Sequence, residues 1–158
     1  MNKKIIINTI YVILWCFTVF TLSAEIADNS SNTSGNTIKF MIKLINRNIS
    51  NDELQVVVNF LQPVVRKTAH FTLFAVGGIL IYNMLDLFIS HNKPISIKVV
   101  GISWLTGTCY AITDEVHQLF VPGRSCELRD MLIDSTGVLV GIVLLMIVIK
   151  MCNECNKN

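Results

Sequence analysis

Four stretches of this chain hold roughly 20 mostly apolar residues each, the length a helix needs to cross a bilayer. They run over about 5–23, 64–89, 95–120 and 128–149. The chain is 52% hydrophobic and only 15% charged, whereas soluble domains sit near roughly 25% charged. A soluble core built from 158 residues does not hide that much apolar surface, so membrane lipid is the expected solvent. The expected fold is all-α: a polytopic membrane helical bundle of about four transmembrane helices plus an interfacial amphipathic helix, one domain over 1–158. A formal charge of +2, with no basic stripe interleaved with aromatics, excludes nucleic acid as a partner.

Lys3 and Lys4 precede the first stretch and Ala24 follows it. Its apolar run exceeds a usual signal-peptide core, and Leu22 sits badly at the −3 position of the one plausible cut. A retained anchor is expected. The connection 24–63 opens with the polar, turn-rich and mobile-looking ADNSSNTSGNT (27–37). Ile38, Met41, Ile42 and Ile45 then recur at helical spacing opposite Lys39, Lys43 and Asn46, the pattern of a helix lying in the membrane interface. Ser50 and Glu53 resemble a capping box opening a short helix over 52–61, which Pro63 is expected to break. SHNKP (90–94) and VPGRSCE (121–127) are tight connections, so consecutive spans are antiparallel neighbours. The cations Arg66, Lys67, Arg124 and Arg129 lie among acids at span ends. Setting them aside leaves Lys3, Lys4, Lys93, Lys98, Lys150 and Lys157 against Lys39, Lys43 and Arg47. That balance places both termini in the cytoplasm of a multi-pass membrane protein, with 24–63 outside. Of the five cysteines, Cys152 and Cys155 form a lone CxxC, too little for a metal site or a disulfide framework.

The polar residues are not scattered. With an even number of spans, the start of the second, the end of the third and the start of the fourth share one membrane face. Those ends carry RKTAH (66–70), DEVHQ (114–118) and RSCELRDMLID (124–134). Arg66 and Lys67 fall on the face of His70, and Asp114 on that of His117 and Gln118. Asp130 and Asp134 stand one turn apart, and Glu115 points about a quarter-turn from Asp114. An ionised side chain at a helix centre costs roughly 2.5–3.5 kcal/mol on insertion scales. Acids and bases gathered in one place satisfy one another, so Arg66, Lys67, His70, Asp114, Glu115, His117, Gln118, Arg124, Asp130 and Asp134 are expected to line a shared polar pocket. Three readings stay open. Arg66, Lys67 and Arg124 could hold a phosphate or carboxylate while a histidine beside a carboxylate does acid–base work. His117 with Asp114, plus His70 or Asp134, could bind a metal. The whole set could be an ion-pair lattice that only fixes helix packing. No metal or other cofactor is expected. Gly137 and Gly141 form GxxxG, suited to close helix packing within the chain.

RKTAHF (66–71), DEVHQLFVPGR (114–124) and RDMLIDSTGVLVG (129–141) together resemble, in order and spacing, the VanZ-like family, over roughly residues 11–149. The resemblance implies a small polytopic bacterial membrane protein; the founding member is associated with low-level resistance to the glycopeptide teicoplanin. The family's motif residues carry over onto Arg66, Lys67, His70, Asp114, Glu115, His117, Gln118, Pro122, Gly123, Arg124, Asp130, Asp134 and Gly137. This chain departs where many members have tyrosine (here Phe74), often after glutamate (here Leu73); Cys126 often corresponds to a glycine. The implied role is in the cell envelope. A lipid-linked cell-wall precursor or glycopeptide would be the partner at the outer face, with an intramembrane hydrolase or transferase, or a structural subunit, as alternatives.

Overall fold

Five helices make up a computed structural model that describes residues 3–25, 27–47, 49–89 and 96–155. They are α1 (Lys3–Ser23), α2 (Ala27–Ile45), α3 (Asn51–Ile89), α4 (Ile97–Gln118) and α5 (Leu128–Cys155). Helices α1, α3 and α5 are long and apolar enough to cross a membrane. The protein is therefore an all-α, polytopic helical membrane protein. Its large exposed apolar side chains, among them Leu14 and Phe17 on α1, Leu105 on α4 and Leu144 on α5, suit lipid as solvent.

The third expected crossing, 95–120, is helix α4. Its 22 residues reach about 33 Å at roughly 1.5 Å per residue, but it does not meet the same standard of apolarity. Lys98, Asp114 and Glu115 sit at its two ends, with Ser, Thr and Gly between them. It lies against α5: Trp104 Nε1 donates to the Ser135 carbonyl at 3.3 Å, and the Thr108 and Ser135 hydroxyls share a hydrogen bond of 2.8 Å. The connection expected at 90–94 lies outside the described residues.

Two expectations need correction. The stretch 27–37 is the first half of α2, not a turn-rich loop. Individually poor helix formers are carried by tertiary packing: Gly35 and Ile38 are buried, and Ile38 joins Leu54 and Val58 in a small apolar cluster flanked by Ile42, Ile49 and Leu61. Nor does Pro63 end a short helix. The expected helix over 52–61 and the span from 64 are one 39-residue element, α3, with Pro63 inside it. The proline removes one main-chain donor, and membrane helices tolerate this where neighbours support the backbone. The capping box does open α3: the Ser50 amide and hydroxyl donate to Glu53 Oε2 (3.3 and 2.9 Å), and the Glu53 amide donates back to Ser50 Oγ at 3.3 Å.

The main core lies between α1, α3, α4 and α5. It is built on Trp15, Phe74, Ile81, Tyr82, Val99, Val138 and Ile142. Trp15 meets Phe74 edge-on at 5.7 Å, and its indole N–H donates to the Leu73 carbonyl at 2.8 Å. Helices α3 and α5 approach backbone to backbone. A Cβ on Gly137 would stand 2.6 Å from the Phe71 carbonyl oxygen, and one on Gly141 would overlap the Ala75 carbonyl. The GxxxG pair is thus an intramolecular packing seam.

Candidate functional site

The ends of α1 and α4, the α4–α5 turn, the start of α5 and residues 63–70 of α3 meet at one end of the bundle. Between them lies a cavity of about 230 Å3. Arg66, Lys67 and His70 line it from α3, Glu115 and Gln118 from α4, Arg124 from the turn, and Asp130 and Asp134 from α5. Asp114 and His117 are not on its wall.

The turn explains how Arg124 arrives. The Arg124 amide donates to the Val121 carbonyl at 3.1 Å, and Gly123 has φ 78°. Pro122 followed by a residue at positive φ is the pattern of a type II turn, which only glycine takes without strain. Arg124 then reaches back to α1: Nε donates to the Glu25 carbonyl at 3.0 Å and Nη2 to the Leu22 carbonyl at 3.3 Å. Its Nη1 is buried without a hydrogen-bond partner. Burial, and next the like charge of Arg66, push the Arg124 guanidinium below its ordinary pKa. Arg66 itself, half-buried at the wall, makes no hydrogen bond or ion pair with a described residue.

Two neighbouring acids on α4 face different ways, as their quarter-turn offset requires. Asp114 accepts from Ser23 Oγ at 2.8 Å and from Gln118 Nε2 at 3.3 Å, both through Oδ2. Glu115 accepts the Glu127 amide at 2.8 Å, tying α4 to the start of α5. Lys67 bonds to Asp130 and lies 3.5 Å from Glu127. His70 Nδ1 stands 3.6 Å from Asp134 Oδ2. His117 stacks on Phe20 of α1 at 4.5 Å between ring centroids, with its Nδ1 buried and unpartnered.

The three polar segments converge with the order and spacing noted in the sequence, and one family model covers them all, matching residues 8–149. The chain belongs to the VanZ/LLP1 family. No curated protein and no solved structure gives a significant match to it. In this VanZ/LLP1 protein Phe74 is fully buried in the apolar core beside Trp15 and Tyr110. Phe74 is not among the residues that line the cavity.

Sequence reasoning missed two contributors. The end of α1 supplies Ser23 and the carbonyls of Leu22 and Glu25; Glu127 supplies an amide to Glu115 and a carboxylate to Lys67. The first was within reach, because an even number of crossings brings the end of the first span to the same face as the other three ends. The second depends on the path of a turn, which no periodicity encodes.

Proposed function

We propose that the cavity binds the anionic group, phosphate or carboxylate, of an amphipathic envelope ligand such as a lipid-linked cell-wall precursor, at the outer membrane face. Through that binding the protein contributes to glycopeptide tolerance. The observation that carries the reading is that two arginines, Arg66 and Arg124, line one cavity. Arg66 holds no ion pair with a described residue, and Arg124 Nη1 is buried without a hydrogen-bond partner. Guanidiniums so placed repel each other until an anion lies between them, and their planar donors match phosphate and carboxylate oxygens. Membership of the VanZ/LLP1 family supports the envelope role.

Arg66→Gln tests this most cleanly, because Arg124 also holds α1 in place. Losing a charge-assisted hydrogen bond of about 1.5–3 kcal/mol weakens an isoprenoid monophosphate by roughly ten- to hundredfold, measured with purified protein in detergent. In a host where the parent chain raises teicoplanin tolerance, the same variant loses that gain at equal protein level. Undiminished affinity, or full tolerance, sinks the reading.

The His70–Asp134 pair on the cavity wall favours a second reading, an intramembrane hydrolase or transferase in which His70 removes a proton from the attacking group. Its mark is turnover of an isoprenoid phosphate by the parent protein that His70→Ala abolishes.

A further inference from the structure

Asp114, Glu115 and Asp134 are all buried, exposed by only 4%, 2% and 2%. Glu115 is answered by the Glu127 amide. The other two are not balanced: among the described residues no lysine or arginine lies within ion-pair distance of Asp114 or Asp134. The nearby cations are turned elsewhere, Lys67 to Asp130 and Glu127, Arg124 to two main-chain carbonyls. Asp134 Oδ1 is buried with no hydrogen-bond partner at all. Its Oδ2 faces His70 Nδ1 at 3.6 Å, too long for a hydrogen bond. His70, Asp114 and Asp134 each offer a ligand atom, and these atoms lie within 4.8 Å of one another.

Two buried carboxylates and an imidazole thus surround one point with no lysine or arginine of the described residues in ion-pair contact. We propose that His70, Asp114 and Asp134 bind a single divalent first-row transition-metal ion beside the anion-binding cavity. Bonds of about 2.1 Å set two tetrahedral ligands about 3.4 Å apart, close to the observed His70–Asp134 separation. Imidazole with carboxylates suits zinc, manganese or iron, and it selects against magnesium and calcium, which take all-oxygen sets. Ser23 and Gln118 fix the Asp114 carboxylate through Oδ2, as outer hydrogen bonds fix ligating carboxylates in metal sites. His117 is left out of the set, its ring being stacked on Phe20. Three protein ligands leave a position for water or for an oxygen of a bound anion.

Zn2+ alone is the probe. The full chain is purified in detergent, carrying Cys152→Ser and Cys155→Ser so that the tail thiols do not compete, and is stripped with chelator. Titration then gives about one Zn2+ per chain, undisturbed by excess Mg2+ or Ca2+. Asp134→Asn and His70→Gln each weaken Zn2+ by about tenfold or more, whereas Arg66→Gln, which removes a like charge, does not weaken it. Loss of anion binding and loss of metal binding are thereby separable. Unaltered Zn2+ affinity in a monodisperse Asp134→Asn protein overturns the proposal, as does no Zn2+ binding by the parent. Where the variants do not fold, X-ray absorption on the zinc-loaded parent decides: one imidazole with oxygen ligands is expected, and a sphere without imidazole overturns the proposal.

Discussion

At the scale of single residues, the polar cluster divides by what each group already holds. Lys67, Asp130 and Glu127 satisfy one another, with side chains 30%, 32% and 51% exposed. An ion pair so wetted contributes little, and Lys67→Gln is expected to lower stability by less than about 1 kcal/mol in thermal unfolding in detergent. Ser23 is fully buried and donates to a buried carboxylate. Ser23→Ala leaves Asp114 short of a donor and is expected to cost about 1.5–3 kcal/mol in the same measurement. The smaller group thus has the larger effect, because burial rather than formal charge sets the scale. Helical spacing made the grouping of Arg66 with His70, and of Asp114 with Gln118, legible in the sequence. It put His117 on the same face as Asp114, yet the two part company here. The spacing gives relative angles along one helix, whereas the ring of Phe20 on a different helix decides where His117 rests.

At the scale of elements, the Ser50–Glu53 cap could be read directly, because capping chemistry acts within a few residues. Helix α2 and the unbroken course of α3 could not. Gly35 and Ile38 of α2 pack on Val58 and Leu54 of α3, a tertiary contact no local pattern announces, and Pro63 lies inside α3 rather than at its end. The α3–α5 seam carries its own test. Gly141→Val forces side-chain volume into the Ala75 carbonyl, an overpacking expected to cost about 1–3 kcal/mol; the parent's melting temperature is the reference. Gly101, with nothing within 4 Å of a built Cβ, is the control, and Gly101→Ala is expected to leave that temperature unchanged or raise it.

At the scale of the whole molecule, one end of the bundle holds the cavity, the α4–α5 turn and the α1–α2 junction together. The outward orientation proposed for that end is checked at Ser125, an exposed residue in the turn. A chain with Ser125→Cys as its only cysteine is expected to take a membrane-impermeant thiol reagent in intact cells; labelling only after lysis would turn the molecule over. The 39 residues of α3 extend about 58 Å at roughly 1.5 Å each, nearly twice the hydrocarbon thickness of about 30 Å. Standing across a bilayer, such a helix leaves several turns outside the hydrocarbon; its first turns pack against α2, and Arg66 and His70 ride farther along the same rod. Whatever displaces the α2–α3 hairpin therefore displaces the helix that carries two residues of the cavity's wall.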